Sequence, residues 1–423
     1  MKRAMLFGAV ALLFVLSAAP AGTIVSWGTN TDGLQDNVPE GNDFMAVAAG
    51  TKHSLALRTD GTVAAWGSNQ YGQCTAPEVD DVVAIAAGYE FSMALRETGE
   101  ILVWGRNNYN QVSGKPAGND FAAIAAGGYH GLARRANGSV TAWGWNVTNQ
   151  TNVPAGTDYL DAAGGAFHSA AVRGAGPTGL IATWGTTSWG LGAAPAGDDF
   201  TAVTAGYSHS VALRSNGTLA AWGLQDGTAN DYGQVTDTPL EAGYAAVEAG
   251  DHFNVALKAD RSLAAWGQGT SGQTNVPAGN NYMAIAAGQA HALAISEPGM
   301  LQVLTPNGGE RLQARTVQTI MWLSEGPVVD VVIEYSTDDG ASWAAVSPAN
   351  VGNTGIYDWL APAADSQACL VRVTSATSSH VTDTSDAAFT IYPCPLAADL
   401  TGDCVVDVAD LAVLASEWMM DGN

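Results

Sequence analysis

The stretch that decides the fold spans residues 62–96 and reads TVAAWGSNQYGQCTAPEVDDVVAIAAGYEFSMALR. Recognisable copies of it fill most of the 423-residue chain. Each copy carries a Trp-Gly pair, at Trp27, Trp66, Trp104, Trp143, Trp184, Trp222 and Trp266. The glycine that ends an alanine-rich run recurs in step, at Gly50, Gly88, Gly127, Gly165, Gly206, Gly250 and Gly288. Two landmarks that keep one phase over seven copies, with a period near 40, indicate propeller blades or solenoid repeats.

Each copy contains three short β-strands separated by turns. TVAAW alternates, AIAA is a compact apolar run, and SLALR alternates again, with Leu55 and Leu57 on one face. No segment shows a sustained 3.6-residue period, so the helical solenoids are excluded. The frequent alanine and glycine predict radially arranged sheets that crowd toward an axis. We expect each Trp of a Trp-Gly pair to be the wedge between neighbouring blades.

The pattern VxAWGxNxxGQ followed by AIAAGxxHSLAL resembles the regulator of chromosome condensation repeat, in the short form of bacterial secreted propellers. That group includes a propeller-type beta-lactamase inhibitory protein. The resemblance covers residues 23–296 and implies a seven-bladed β-propeller. We expect the ring to close by pairing of residues 23–27 with the final blade, which leaves no free sheet edge. An export signal and short blades disfavour nucleotide exchange on a small GTPase.

Histidine stands three residues after the landmark glycine in five copies, at His53, His130, His168, His209 and His291. The other two copies carry Phe91 and Phe253 at this position. Phenylalanine cannot bind a metal, so a metal role shared by all copies is excluded. We expect each histidine to pack at the inner strand of its blade with a backbone hydrogen bond.

Aromatic residues vary in the loop after Trp-Gly, where a repeat protein carries its specificity. These residues are Tyr71, Tyr109, Trp145, Trp189 and Tyr232. In a closed ring they emerge on one rim, where exposed aromatics form a binding face for protein or carbohydrate. The alternative is that each ring packs down on its own blade. The longer loop at 222–234 and the insertion at 174–180 also favour function on one side of the repeat array.

The start of the chain predicts export. Residues 1–21 contain Lys2 and Arg3, an apolar stretch, and a small-residue cleavage pattern, as in a secretory signal peptide. No other segment has the roughly 20 apolar residues of a membrane span. The formal charge of −24 repels phosphate backbones and disfavours nucleic acid as a partner. The predicted location is therefore secreted, extracellular or at the cell surface.

Residues 298–392 form a different unit with longer strands. Seven predicted strands in this stretch, with a hairpin turn at Asp339-Gly340, indicate a β-sandwich. The run is similar to immunoglobulin-like or fibronectin-like modules of secreted bacterial proteins. That resemblance implies a spacer, and a sugar-binding role is the alternative.

The C-terminal segment, residues 393–423, places oxygen ligands at the spacing of a calcium loop followed by an amphipathic helix. It resembles a single dockerin type I repeat, which implies Ca²⁺ as cofactor and a cohesin-like partner. The implied ligands are Asp399, Thr401, Asp403, the Val405 carbonyl, Asp407 and Asp410. Cys404 stands where such loops carry glycine, and the second repeat of a full dockerin is absent. A solvated acidic tail is the alternative.

The four cysteines permit disulfides in an exported chain. Cys394 and Cys404, ten residues apart, are the predicted pair. Cys74 and Cys369 fall in different predicted domains, so we expect both to be free, with Cys369 buried in a strand.

The sequence contains no Ser/His/Asp order, no HExxH motif and no credible carboxylate pair, and therefore predicts a protein that is not an enzyme. We expect an all-β protein in which a propeller, a sandwich and a calcium loop-helix unit follow one another. Its function is that of a binding or scaffold protein, whose propeller rim recognises an extracellular protein or glycan and whose C-terminal repeat attaches it to a surface or complex. Two alternatives are a component of a polysaccharide-degrading, cellulosome-like assembly and a secreted enzyme inhibitor.

Overall fold

The computed structural model describes residues 21–297, 299–326, 328–347, 350–376, 378–393 and 408–420. The chain divides into two compact units, Met1–Glu297 and Pro298–Asn423. The predicted signal peptide lies outside the described residues except for Ala21. Among the helices in the described ranges, none is long and apolar enough to cross a bilayer.

Residues 21–297, all of them described, contain 21 strands and two single-turn 3₁₀ helices, Thr31–Gly33 and Ser188–Gly190. The strands are β1 (Thr23–Gly28), β2 (Phe44–Ala49), β3 (His53–Arg58), β4 (Val63–Gly67), β5 (Val82–Ala87), β6 (Phe91–Arg96), β7 (Ile101–Gly105), β8 (Phe121–Ala126), β9 (His130–Arg135), β10 (Val140–Gly144), β11 (Tyr159–Gly164), β12 (His168–Arg173), β13 (Leu180–Gly185), β14 (Phe200–Ala205), β15 (His209–Arg214), β16 (Leu219–Gly223), β17 (Tyr244–Ala249), β18 (Phe253–Lys258), β19 (Leu263–Gly267), β20 (Tyr282–Ala287) and β21 (His291–Ser296).

These strands form seven three-stranded antiparallel sheets, which are the blades of a propeller. Blade 1 is β2-β3-β4, blades 2 to 6 repeat this order along the chain, and blade 7 is β20-β21-β1. The N-terminal strand β1 therefore completes the last blade, in register from Thr23 opposite Ser296 to Gly28 opposite His291. This confirms that the N-terminal strand closes the ring, although each blade remains a separate sheet with an inner and an outer edge strand.

The Trp-Gly tryptophans are buried between blades, as predicted. Trp143 of blade 3, for example, packs with Phe91 and Met93 of blade 2, and 7% of its surface is exposed. Its indole Nε1–H donates to the main-chain carbonyl of Gln111 at 2.8 Å. The buried indole thus keeps its one donor satisfied, as a buried Trp requires.

The landmark glycines form a ring in which each one touches the next blade. A Cβ on Gly50 would lie 2.4 Å from the carbonyl oxygen of Gly88, and a Cβ on Gly288 would lie 2.4 Å from that of Gly50. The five remaining members make the same approach, each to the next glycine along the chain, at 2.2–2.7 Å. Any side chain here would push two blades apart, so the ring requires glycine at this position.

The five histidines that follow the landmark glycines join neighbouring blades, and their positions differ from the sequence prediction. Each lies at the start of the middle strand of its blade, not in the inner strand. Its Nε2 contacts a side chain of the next blade, as His53 contacts Ser92 Oγ at 2.9 Å. Ser92 Oγ–H donates to the Gln73 carbonyl, so His53 Nε2–H is the donor to Ser92. The other pairs are His130–Ser169, His168–Ser210, His209–Asn254 and His291–Ser54. Sequence reasoning missed this partner because it lies one whole blade away.

The two blades that carry phenylalanine instead of histidine follow the same pairing between blades. In the next blade, the position that Ser92 holds opposite His53 is Gly131 for Phe91 and Ala292 for Phe253. Where the histidine donor is absent, the side-chain acceptor is therefore absent too. A buried hydroxyl without a partner would cost about 1–3 kcal/mol, which explains the joint replacement.

The second unit contains β22 (Met300–Thr305), β23 (Arg311–Gln313), β24 (Val317–Glu325), β25 (Asp330–Ser336), β26 (Ala344–Ala345), β27 (Val351–Gly352), β28 (Ile356–Leu360), β29 (Ser366–Ser375), β30 (Ser378–Thr384), β31 (Phe389–Tyr392) and α1 (Val408–Met420). One sheet has the order β22-β24-β28, and the other the order β23-β31-β29-β25-β26, with β27 on β25 and β30 on β29.

A common hydrophobic core joins residues of both sheets, including Val303 and Trp322 from the first and Val331 and Val371 from the second. β25 and β26 pair antiparallel, and the predicted turn residues Asp339 and Gly340 have φ of 58° and 83° between them. The predicted hairpin is therefore present.

The predicted calcium loop lies outside the described residues except for Asp410 in the first turn of α1, of which 3% is exposed. The predicted disulfide between Cys394 and Cys404 also lies outside them. In the described part of the chain Cys74 and Cys369 are free, and Cys369 is buried in β29, as expected.

Candidate binding surface

Two sets of loops meet at one face of the propeller because of strand register. Gly67, which ends β4, lies opposite His53, which begins β3. The loop that follows each Trp-Gly pair therefore lies beside the short link between the inner and middle strands. The same pairing recurs in the other blades, for example between Gly105 and Phe91. The rim loops of the seven blades consequently surround the ring of glycines.

Aromatic side chains from these two sets of loops form a continuous surface, which we call the aromatic arc. Its members are Tyr71, Tyr89, Tyr109, Tyr129, Trp145, Phe167, Trp189, Tyr207, Tyr232 and His252. Neighbouring rings have centroids 5.1–6.3 Å apart, except at Tyr71, which is connected through a cation. Separations of this size are typical of favourable aromatic pairs.

The sequence predicted five members of the arc, and the structure brings them together. Tyr109 and Trp145 are 6.0 Å apart, and Trp145 and Trp189 both pack against Phe167, at 5.5 and 5.9 Å. Tyr232 packs on His252 at 5.6 Å. The rings thus contact neighbouring loops and do not merely cover their own blades.

The sequence analysis missed the other half of the arc. Tyr89, Tyr129, Phe167, Tyr207 and His252 lie one or two residues after the landmark glycines. Their variation from copy to copy was a usable signal.

Arg106 joins the first members of the arc. Its guanidinium lies 4.9 Å from the Tyr71 ring centroid, 5.5 Å from that of Tyr129 and 6.0 Å from that of Tyr109. Its Nη1 also pairs with Glu90, and this hydrogen bond raises the pKa of Arg106 above its usual value. The cation is therefore fixed and orders three tyrosines around it.

The arc is packed below and open above. Tyr71, Tyr109 and Trp189 remain 38%, 40% and 42% exposed, and the remaining members are half-buried. Rings held by neighbours lose little conformational freedom when they bind a partner. This combination of rigidity and exposure is typical of aromatic anchors at binding interfaces.

A hydrogen bond spans the mouth of the axial channel inside the arc. Tyr89 of blade 2 donates its hydroxyl to Asp251 Oδ1 of blade 6 at 3.2 Å. Burial raises the pKa of Asp251 to about 6, opposed by hydrogen bonds from Tyr89 and Gln289. Burial, together with the Asp251 carboxyl, raises the pKa of Tyr89. The mouth therefore holds a polar bridge and is not an open pore.

Below the glycine ring, the inner strands enclose an axial cavity of about 120 Å³. Its lining is mostly alanine, with Thr204 and Glu248 as the polar residues among those that line it. Burial and the nearby Asp161 raise the pKa of Glu248 well above its usual value, which favours the neutral acid. The alanines confirm the expected crowding of small side chains toward the axis.

The described residues offer no metal centre made of three or more His, Cys, Asp or Glu side chains. The five histidines between blades are buried and neutral, because burial lowers the pKa of His53, His130 and His168 to about 3 and that of His209 and His291 to about 4.

Comparison with known proteins identifies the repeats. The family model of the regulator of chromosome condensation (RCC1) repeat matches residues 46–73, 82–111, 121–150 and 200–234. The first unit is an RCC1-like propeller. The four matched segments fall in blades 1, 2, 3 and 5 and run from the inner strand to the rim loop that follows Trp-Gly. No curated protein sequence matches the chain.

Solved structures support the same fold for the RCC1-like propeller. Prp20p from Saccharomyces cerevisiae, described with its binding properties toward Gsp1p and histones, is 20% identical, with a TM-score of 0.53, over 66% of this chain and 92% of its own. Human WBSCR16 is 15% identical, with a TM-score of 0.53, over 66% of this chain and 99% of its own. A second structure of Prp20, the yeast RCC1, bound to Kap60, is 18% identical, with a TM-score of 0.53, over 66% of this chain and 90% of its own. At these identities the likeness establishes the fold alone.

Proposed function

We propose that this chain is an exported, non-catalytic binding protein whose aromatic arc recognises an extracellular protein or glycan. The observation that carries the proposal is the continuity of the arc, in which ten side chains from successive blades form one exposed, mutually packed surface. Rings repeated only for core packing would be buried, as the Trp-Gly indoles are. The signal-like residues 1–21 support export, and the structural relatives that bind Gsp1p, histones or Kap60 show that this fold serves protein recognition in other contexts.

The backbone conformation of Trp189 supports a binding role. Its φ of 59° lies in the left-handed region, which costs an L-amino acid about 1–2 kcal/mol and is rare for a bulky side chain. The side chain is nevertheless 42% exposed. A strained backbone that displays a large apolar ring to solvent is expected at a functional position.

We expect Trp189→Asn to weaken partner capture by about tenfold or more while changing the free energy of unfolding by no more than about 1 kcal/mol. Asparagine tolerates the left-handed backbone, and relief of that strain offsets the lost contacts with Phe167 and Tyr207. The full-length chain is immobilised, and capture is measured from source culture medium and on a glycan array, alongside urea denaturation.

Leu180→Ala is the matched control, because Leu180 is an exposed apolar residue 52% accessible at the far end of β13 from Trp184. It should leave capture unchanged. If Trp189→Asn and the wild type retain the same partners equally well, the arc is not the recognition surface.

We also propose that the C-terminal segment binds Ca²⁺ and anchors the chain to a surface or complex through a partner such as a cohesin-like module. Asp410 fits the last ligand position, since it opens helix α1 and is nearly buried. Asp399, Thr401, Asp403, the Val405 carbonyl and Asp407 would supply the remaining oxygens that calcium prefers. The two-sheet core of the second unit is suited to an immunoglobulin-like spacer between the two binding elements.

Millimolar calcium is expected to protect the C-terminal segment of the full-length protein from limited proteolysis, because a ligand that binds only the folded loop stabilises it. Mass spectrometry of the cleavage sites gives the readout. Asp403→Ala should abolish the protection, whereas Asp386→Ala, an exposed carboxylate in the second unit, should not. Equal cleavage with and without calcium would contradict a calcium site here.

A further inference from the structure

One end of the aromatic arc deepens into a pocket of about 460 Å³. The pocket lies between the rim loops of blades 5 and 6, and residues of blade 7 complete its wall. Its volume is within the roughly 300–1,000 Å³ of small-molecule sites. It is separate from the axial cavity, which lies below the glycine ring and is lined mainly by alanine.

The wall of the pocket is built by the longest rim loop of the propeller. The spacing between Trp222 and Trp266 is 44 residues, against 38 to 41 elsewhere, and this longer copy supplies Asn230 and Tyr232 to the pocket. Gly227 N–H donates to Asp231 Oδ2 at 2.8 Å, and Gly233 N–H donates to Asp231 Oδ1 at 3.2 Å. These bonds hold the loop in one conformation beside the pocket.

Three rings form the apolar side of the pocket. Tyr207 and Tyr232 both pack on His252, with centroids at 5.2 and 5.6 Å and tilts of 49° and 53°. Burial lowers the pKa of His252, so its ring is neutral near pH 7. The pocket thus offers uncharged ring surfaces that are tilted toward each other.

The polar side offers hydroxyl-binding groups. Gln268, Gln289 and Asn230 are among the residues that line the pocket, and a side-chain amide can both donate and accept hydrogen bonds. Thr270 adds a hydroxyl, and Asp251 adds a carboxyl that is held by hydrogen bonds from Tyr89 and Gln289. Rings on one side and a dense set of amide, hydroxyl and carboxyl groups on the other match a pyranose, which has an apolar C–H face and a hydroxyl edge.

We propose that this pocket is a subsite for one neutral sugar unit of a glycan, with Tyr207 and Tyr232 against the sugar face and Gln268, Gln289 and Asp251 bonded to its hydroxyls. The inference deepens the proposed function, on which it rests, by naming the ligand class at one end of the arc. An acidic sugar is excluded by the Asp251 carboxyl and by the net charge of −24.

The pocket binds the sugar and does not hydrolyse it. Most glycoside hydrolases use two carboxyl groups that flank the bond, and Asp251 is the single carboxyl among the residues that line this pocket. The proposed role of the subsite is therefore recognition.

The test uses the full-length protein and the disaccharides cellobiose, xylobiose, mannobiose and digalacturonic acid, with saturation-transfer NMR and calorimetry at pH 7. At least one neutral disaccharide should bind, and digalacturonic acid should not. Tyr232→Ala and Gln268→Ala should each weaken binding by about tenfold or more. Leu180→Ala is the control, because Leu180 is an exposed apolar residue at the far end of β13 from Trp184 and belongs neither to the pocket nor to the arc.

The outcomes separate the inference from the proposed function. If no neutral disaccharide binds while Trp189→Asn still abolishes partner capture, the subsite is wrong and the arc remains a recognition surface. If disaccharide binding falls equally in the Leu180 and Tyr232 variants, the sugar does not lie in this pocket. If partner capture is insensitive to Trp189 but a disaccharide binds through Tyr232, the subsite stands and recognition does not extend along the arc.

Discussion

Lowering the pH from 7 to 5 is expected to destabilise the propeller by several kcal/mol, with the free energy of unfolding falling more steeply once the pH drops below 6.5. The five histidines between blades have folded pKa values of about 3 to 4, against 6.5 when exposed. They are neutral in the folded state and take up protons only on unfolding. Above pH 6.5 the histidines are neutral in both states and cost no stability. As the pH falls from 6.5 to about 4, the unfolded state binds protons that the folded state does not, and the free energy of unfolding decreases.

Two buried carboxyls oppose this loss. Asp251, with a pKa of about 6, and Glu248, with a raised pKa, hold protons in the folded state at pH values where the unfolded chain has released them. Acidification stabilises the fold through these two groups, so the net proton uptake on unfolding is smaller than the five histidines alone would give. A typical domain is stable by about 5–15 kcal/mol, so a loss of several kcal/mol is a large part of the total.

Urea denaturation followed by tryptophan fluorescence between pH 5.5 and 7.5 measures this slope. The control is the double variant His53→Phe with Ser92→Ala, which reproduces the arrangement of Phe253 and Ala292 already present in the ring. The Gln73 carbonyl keeps the Trp104 Nε1–H as a donor in that variant. Its slope should be smaller by about one proton. A stability that does not change over this range would show that the histidines are not buried in the folded state.

Replacement of one ring glycine, Gly206→Ala, is expected to destabilise the propeller by about 3 kcal/mol or more. The added Cβ would lie 2.2 Å from the carbonyl oxygen of Gly250 and 2.5 Å from Cε1 of His209. Backbone on one side and a buried ring on the other leave no flexible group to move aside. Because the seven blades close on themselves, widening one gap strains the contacts of the others.

Gly176→Ala is the matched control, since a Cβ there meets nothing within 4 Å and its φ lies outside the left-handed region. Thermal and urea unfolding of the two variants should therefore diverge, with the control within about 0.5 kcal/mol of wild type. Equal stability of the two variants would mean that the glycine ring is looser than described.

Much of the fold follows from the sequence because it is local and repeated. The Trp-Gly and glycine landmarks keep one phase, so a single copy predicts three strands and seven copies predict seven sheets. The absence of helical periodicity and the small residues near the axis are equally local signals. The pairing of β1 with β21 was also predictable. The repeat array begins with a single Trp strand, and its last copy ends without one.

The contacts between copies could not be predicted in this way. His53 was expected to make a hydrogen bond to the backbone, but its partner is the side chain of Ser92, 39 residues later. The partner belongs to the next blade, and the spacing of one repeat does not show which side chains face each other across two sheets. The ring of glycines has the same origin, since only the closed geometry brings Gly288 against Gly50.

The sequence by itself determined that residues 23–296 form an all-β repeat array and that aromatics vary in its rim loops. The tertiary structure decided that rings from these rim loops and from the links after the landmark glycines, ten in all, join into one arc. It also decided that Tyr89 reaches across the axis to Asp251 and that the longest rim loop lines a pocket. The physical reason is that strand type and turn position depend on neighbours in sequence. Which side chains share a surface depends on the closure of seven blades around an axis, which no single repeat encodes.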